Sequence, residues 1–242
     1  MRLPLFPLHV VAFPHLPLPL HIFEERYRAL ARDVIADGSP YAGRFAVSMI
    51  TEGPEVGDGP IPTGMRSIGT IVEVRSADQL PDGRWGMLAV GVARASLGGV
   101  DRSGPYATID AQPLPEVEGD PAAVRSLLPA VQAALDAYLT TVKRFVASAA
   151  SIGSESPEIT SVASTLDEVL KPIVLPEDPL AASYAVGGVL QIELTRKQQL
   201  LEMPDAATRL RAELELLRRE ARLLSDGAMP PVGTGDLRYN PN

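Results

Sequence analysis

The stretch LPLFPLHVVAFPHLPLPLHIFEERYR, residues 3–28, carries most of the information about the fold. From Leu3 to Phe23 it contains no Asp, Glu, Lys or Arg, a length that could be mistaken for a signal peptide or a membrane span. Five prolines interrupt it, and each would cost about 3 kcal/mol inside a helix. We therefore predict extended chain, with strands over Leu3–Leu8 and Leu16–Phe23 that suit sheet edges, where a missing amide costs little.

The residues after this stretch predict one early helix and then further strands. Glu24–Ala36 places apolar side chains at helical spacing and ends at Asp37-Gly38. Apolar and β-branched runs predict four more strands, over Arg44–Ile50, Ile68–Val74, Trp85–Leu97 and Tyr106–Ala111. The turn Pro81-Asp82-Gly83 lies between two of these runs and makes them a hairpin. About six strands are enough for a small closed or partly closed barrel.

After Pro113-Leu114-Pro115 the sequence turns to alanine, leucine and charged residues, which predicts helices. Asp120-Pro121 is typical of a capped helix start, and a linker is expected over Ser148–Pro157. Helices are predicted over Asp120–Val146, Glu158–Leu170, Asp178–Ile192 and from Thr195 onward, with Pro204 as an interruption. The expected organisation is a β subdomain over residues 1–115, a helical bundle over 116–225 and a mobile tail over 226–242.

Composition excludes several classes of function. The net charge of −8 and the isoelectric point near 5.0 disfavour a nucleic-acid partner, which needs clustered cations. The chain has no cysteine, which excludes disulfides, thiolate nucleophiles and thiolate metal sites. The uncharged run Pro179–Ile192 is shorter than the roughly 20 residues of a spanning helix. We predict a soluble cytoplasmic protein.

The opening stretch resembles the start of LON substrate-binding domains. Its His-Ile-Phe-Glu form, residues 21–24, is closer to free-standing bacterial members and to the cereblon type than to the full protease. Further similar stretches are Val72–Val74, Leu80–Arg84, Gly91–Arg94, Gln199–Glu202 and Arg209–Glu220. The resemblance implies an α+β fold: a six-stranded PUA-like β-barrel with one early helix, followed by an α-helical bundle that ends in a long helix. The chain departs from the family pattern at Glu25, where proline is usual, and at His15, where glycine is usual.

Motifs for catalysis are not found. Lon proteases join this domain to an ATPase and a Ser-Lys peptidase, but a Walker A loop needs Gly-Lys, and none of the lysines follows glycine. No serine has the nucleophile-elbow spacing, although spacing alone leaves a Ser-Lys dyad open. His9, His15 and His21 lie in proline-broken chain where nothing makes them converge on a metal. We predict no enzyme activity, no metal and no cofactor.

The resemblance implies a non-catalytic protein- or peptide-binding module, with an adaptor role in ATP-dependent proteolysis as one form of it. Its partners would be unfolded or tagged polypeptide or a partner protein, which could be a separate protease. Large side chains beside predicted turns are the candidate peptide-binding residues, and core packing is the alternative role for each: Phe13, His15, Trp85 and Met87. Two other classes stay open, a hydrolase with an unrecognised site on a PUA-like scaffold and an RNA-binding PUA-like module, against which the acidic charge speaks.

Overall fold

The structure is a computed structural model, and it describes residues 1–56, 62, 64–152 and 173–226. Several predicted features lie outside the described residues: the helix over Glu158–Leu170, the linker from residue 153 onward and the tail after residue 226. The linker predicted from Ser148 is wrong as far as residue 152, because residues 148–152 are helical.

The described residues form seven strands and five helices. The strands are β1 (Arg2–Leu8), β2 (Pro17–Ile22), β3 (Arg44–Glu52), β4 (Gly64–Met65), β5 (Ile68–Gln79), β6 (Trp85–Asp101) and β7 (Thr108–Pro113). The helices are α1 (Glu25–Ile35), α2 (Pro121–Ile152), α3 (Pro179–Val189), α4 (Leu194–Glu202) and α5 (Ala206–Ser225). Each of the six predicted strands and the early helix is confirmed; β4, with two residues, is too short to leave a pattern.

The predicted final helix is two helices. A break at Met203–Asp205 separates α4 from α5, as expected from Pro204, whose missing amide and ring disfavour a helix interior. Asp205 then starts α5, because its side chain accepts a hydrogen bond from the backbone N–H of Thr208 at 2.7 Å. Asp178 caps α3 in the same way through Ala181, also at 2.7 Å.

Pairing among the strands closes a ring. The order is β1-β7-β6-β5-β3, and β3 pairs back onto β1; β2 pairs with β6, and β4 with β3. The prediction that β1 is an edge strand is wrong. Residues Arg2–Pro4 pair with β7, and the parallel register with β3 begins at Leu5, so the strand changes partner at Pro4. The edge prediction for β2 is confirmed, since among the described strands it pairs with β6 alone.

The core inside the sheet explains the early helix. Its buried face carries Tyr27, Leu30 and Val34, which join a cluster with side chains from β1, β2, β3, β5 and β6. The Tyr27 ring stacks on Phe6 of β1 with ring centroids 4.2 Å apart. An amphipathic helix is thereby fixed against the strands that precede it in the chain.

The chain divides into two compact units. The sheet unit comprises Met1–Glu116 and Glu193–Glu202, and so includes α4. The helical unit comprises the described residues of Val117–Ile192 and Met203–Val232. The predicted boundaries at residues 115 and 225 stay a prediction, as does the idea that each part is a separate subdomain. Among the described residues, no helix is both long and apolar enough to cross a membrane.

One buried arginine in each unit ties neighbouring segments together. In the sheet unit, Arg94 of β6 donates to the carbonyl oxygens of Leu201 on α4 and of Pro115, at 3.1 and 3.2 Å. In the helical unit, Arg209 of α5 donates to Ser183 Oγ at 2.7 Å and lies over the Tyr184 ring, 4.2 Å from its centroid. Buried guanidinium groups need such partners, because an unpaired buried charge is very unfavourable.

Candidate functional site

Strand β6 exposes large apolar side chains on the outer surface of the sheet unit. Successive side chains of a strand point to opposite faces. Trp85 and Met87 point inward into the core cluster, whereas Leu88 and Val92 point outward and keep 38% and 37% of their surface exposed. Exposed aliphatic side chains on one strand face are a common feature of binding surfaces.

Strand β2 widens this apolar surface. In the antiparallel register Pro17 lies opposite Val90 and Pro19 opposite Leu88, so these side chains share the outer face. Both prolines are exposed. We call this surface the outer patch; it consists of Pro17, Pro19, Leu88, Val90 and Val92.

The edge of β2 that faces away from β6 is poorly suited to pairing with a further strand. The N–H of Gly91 donates to the carbonyl of Leu16 at 3.0 Å, which puts the even-numbered residues of β2 in the positions that bond to β6. The backbones of Pro17 and Pro19 therefore face away from β6. Because proline has no N–H, this edge lacks a donor at two of the three positions of β2 that face away from β6.

A tight corner fixes one end of the outer patch. His15 adopts a left-handed conformation with φ of 65°, and its N–H donates to the Gly91 carbonyl at 2.9 Å. A Cβ at Gly91 would overlap the carbonyl oxygen of Phe13, so only glycine allows this close approach. Thr70 Oγ1 donates to the Ala12 carbonyl at 2.6 Å and holds the corner from inside.

Paired charges border the outer patch. On β5, Glu73 accepts from Arg44 at 3.0 Å and from Arg75 at 2.7 Å. At the other end, Arg84 Nη1 lies 3.0 Å from His21 Nε2, and Arg84 Nε donates to Asp82 at 2.6 Å. An apolar centre with a polar rim is the usual arrangement of a protein-binding surface.

Comparison with known proteins gives the family. Residues 2–219 match the family described as the ATP-dependent protease La (LON) substrate-binding domain. The chain belongs to this family. The resemblance of the opening stretch to LON domains is thus confirmed.

Relatives of this LON-domain chain include proteins described as Lon protease. The one from Rhizobium meliloti is 25% identical over 222 residues, which are 91% of this chain and 24% of that protein. The one from Trichlorobacter lovleyi is 27% identical over 226 residues, 92% of this chain and 24% of that protein. This chain therefore spans about a quarter of the length of the curated relatives it matches.

Solved structures share the fold. The N-terminal domain of Mycobacterium avium complex Lon protease aligns with a TM-score of 0.54 and 16% identity, over 90% of this chain and 98% of that one. A Lon N-terminal domain protein from Xanthomonas campestris aligns with a TM-score of 0.52 and 22% identity, over 89% and 98%. The chain thus has the mixed helix-and-sheet fold of Lon N-terminal domains.

The four residues predicted from the sequence of this LON-domain chain lie around the outer patch, but only one is on its surface. His15 is exposed at the corner, whereas Phe13, Trp85 and Met87 are buried. Their role in peptide binding stays a prediction. Sequence reasoning missed Leu88 and the other outward residues of β6, because Trp85–Val92 is apolar on both faces and alternation could not tell inside from outside.

Two phenols among the described residues of the sheet unit have raised pKa values. Burial raises the pKa of the Tyr27 phenol to about 12. Burial, together with contacts to Tyr41 and Asp33, also raises the pKa of Tyr106, whose hydroxyl donates to Asp33 at 2.7 Å. Both phenols stay protonated near neutral pH. Within the described residues, no three His, Asp or Glu side chains group as metal ligands would; His9, for example, pairs with Glu55 at 3.3 Å.

Proposed function

We propose that this chain is a non-catalytic polypeptide-binding module that holds apolar segments of unfolded or tagged polypeptide, or of a partner protein, on the outer patch. The observation that carries the proposal is the strip of exposed aliphatic side chains on β2 and β6 inside a rim of paired charges. The family description, a substrate-binding domain, supports the same role.

The size of the patch predicts weak and broad binding. Burying a whole Leu or Val side chain contributes about 1.5–3 kcal/mol. Leu88 and Val92 still expose 38% and 37%, so covering the remainder would contribute about 1–2 kcal/mol for the two together. Aliphatic contacts of this kind select apolar segments without selecting one sequence.

The predicted residues have two different parts in this proposal. His15 would contact a bound segment directly at the corner of the patch. Trp85 and Met87 would act from beneath, because their buried side chains belong to the core that supports β6, and Phe13 is buried at the corner itself.

The wider setting follows from the family. We propose that the chain serves as an adaptor in ATP-dependent proteolysis in the cytoplasm, presenting clients to a protease supplied as a separate chain. The absence of cysteine agrees with a reducing compartment. We also propose that the strand ring is a PUA-like barrel of six main strands, which the closed pairing from β1 round to β3 supports. Residues 1–115 and 116–225 would be the β and helical subdomains of the chain, with α4 of the second range packed in the sheet unit.

A permanently unfolded client tests the proposal. Fluorescein-labelled, reduced and carboxymethylated α-lactalbumin is titrated with the chain, and its anisotropy is measured. The double variant Leu88→Ser/Val92→Ser should bind roughly 5- to 30-fold more weakly, as expected for about 1–2 kcal/mol. Leu223→Ser is the matched control, since Leu223 is also 38% exposed but lies on α5.

Equal binding by wild type and both variants would show that the outer patch is not the binding surface. Mass spectrometry of the client after incubation tests the non-catalytic part of the proposal. A client of unchanged mass is expected, and cleavage by the purified chain would overturn that part.

A further inference from the structure

Strand β5 extends beyond its pairing with β3. The register between the two strands ends at Arg44 and Glu73, and the N–H of Val74 donates a last hydrogen bond to the Gly43 carbonyl at 2.9 Å. Ala42 and Gly43 then turn the chain away through two left-handed residues, with φ of 50° and 75°. A left-handed alanine is strained by roughly 1–2 kcal/mol, and such strain is often found at binding sites.

The remaining residues of β5, Arg75–Gln79, have one open edge. They pair with β6 on one side, and among the described residues no strand pairs with the other side. The N–H of Leu80 donates to the Arg84 carbonyl at 2.8 Å, so the even-numbered positions beside this turn face β6. The backbone N–H and C=O of Ala77 and Gln79 therefore point to the open side.

A groove runs along this open edge. It has a volume of about 470 Å³ and lies between Val74–Ala77 of β5 and Val34–Ser39 at the end of α1. Its lining is mixed: the accessible side chains of Ile35 and Ala77 are apolar, whereas Asp37 and Arg75 are charged. An extended chain placed here would find backbone partners on β5 and a wall of mixed polarity at the end of α1.

We propose that Arg75–Gln79 of β5 binds an extended polypeptide segment as an added strand in the groove beside α1. The inference rests on the proposed function and extends it: it assigns a second contact with the client, on the edge of β5, and the conformation of the client there. Strand addition supplies main-chain hydrogen bonds, which are independent of sequence, while alternate side chains enter the groove. The edge of β2 is poorly suited to this, because Pro17 and Pro19 supply no donors at two of its three outward positions.

The occupant that fits is a short extended segment rather than a second copy of the chain. An edge of five residues is about 17 Å long. Stable dimers bury roughly 800 Å² per partner, far more than such an edge provides. An extended segment of alternating apolar and polar residues fits both the bonding pattern of β5 and the lining of the groove.

Two methylated peptides test the proposal. The probe is a fluorescein-labelled peptide of alternating Val and Lys, roughly nine residues long, enough to cover the edge. Two isomers carry N-methyl groups on every second residue, one on the Val set and one on the Lys set. In the antiparallel orientation, which is the more stable one, only one set of amides faces β5 while the Val side chains enter the groove, so one isomer should bind like the unmethylated peptide and the other about tenfold more weakly. Equal affinity of the two isomers, whether retained or lost, would overturn the proposal.

A matched pair of variants gives an independent test. Ala77→Pro removes an N–H that points into the groove, whereas Ala77→Ser keeps it. Peptide affinity should fall about tenfold in the first and stay unchanged in the second. If both variants show native Trp85 fluorescence and bind the peptide equally, strand addition is overturned. If Ala77→Pro does not fold, the comparison of the two methylated isomers tests the proposal alone.

The two proposals fail in different ways. If Leu88→Ser/Val92→Ser weakens binding but the isomers bind equally, the outer patch stands and strand addition does not. If neither the unmethylated peptide nor carboxymethylated α-lactalbumin binds, both proposals are overturned. Dimerisation of the chain at micromolar concentration, lost in Ala77→Pro, would assign the edge to a second copy and also overturn strand addition.

Discussion

Replacement of the buried Arg94 by methionine should lower the free energy of unfolding of the sheet unit more than replacement of an exposed arginine does. Arg94 is 3% exposed and donates to Glu116 at 3.1 Å and to the carbonyls of Leu201 and Pro115. Methionine keeps most of the apolar stem but leaves these acceptors without their donor. Breaking a buried ion pair by removing one partner costs about 3–5 kcal/mol, and each buried acceptor left unsatisfied costs about 1–3 kcal/mol.

Glu116 is partly exposed and can be hydrated once its partner is removed, so the total loss of stability lies near the lower of these values. We expect Arg94→Met to lower the free energy of unfolding by about 3–5 kcal/mol and the melting temperature by roughly 6–20 °C. Urea unfolding followed by Trp85 fluorescence measures this directly, because Trp85 is the single tryptophan and is buried in the sheet unit.

Arg84→Met is the matched control. It removes an arginine from an exposed ion pair with Asp82, and solvent-exposed pairs of this kind contribute little to stability. If Arg94→Met unfolds within about 1 kcal/mol of the control, the buried arginine does not hold α4 and the 115–116 segment to the sheet as described.

Three further changes test the description of single residues. His15→Gly should raise the free energy of unfolding by roughly 0.5–1 kcal/mol, because it removes about 1–2 kcal/mol of strain from a left-handed histidine but adds the entropy cost of glycine. Urea unfolding followed by Trp85 fluorescence measures this gain, and its absence would contradict the left-handed conformation of His15. Burial raises the pKa of Glu213 well above 4.5 against the opposing effect of Arg209, so the stability of the helical unit should fall as pH rises through that raised pKa. Circular-dichroism melts at about pH 5 and pH 8 should show this fall in wild type and not in Glu213→Gln; identical pH profiles would contradict it. Burial lowers the pKa of Lys197 to about 8, so between pH 8 and 10.5 the unfolded chain binds more protons than the folded chain, and the free energy of unfolding should rise with pH. Urea titrations should show this rise in wild type and not in Lys197→Met.

The sequence predicts much of the fold because its strongest signals are local. Prolines in residues 3–23 rule out a helix, alternation marks the long strands, and Asp178 with Pro179 marks the start of α3. Pro204 also indicates the break that separates α4 from α5. These signals act within a few residues of chain, so no tertiary information is needed to read them.

The candidate site depends on relations that local patterns do not contain. Which face of Trp85–Val92 is outside depends on the register with β2 and β5, and the run is apolar on both faces. The open edge of β5 depends on Ala42, whose left-handed conformation is unusual for alanine. Proline in β1 shows only that a backbone donor is missing; it does not show that the strand lies at an edge of the sheet. In the structure β1 has a partner strand on each side of Pro4, β7 before it and β3 after it.

Amide hydrogen exchange with and without carboxymethylated α-lactalbumin tests most directly where a client is held. A client paired with β5 and covering β6 should slow exchange in peptides that contain residues 75–79, with a smaller effect over 86–92. Unchanged exchange in both segments, with slowing confined to α2, α3 or α5, would contradict binding on the sheet unit.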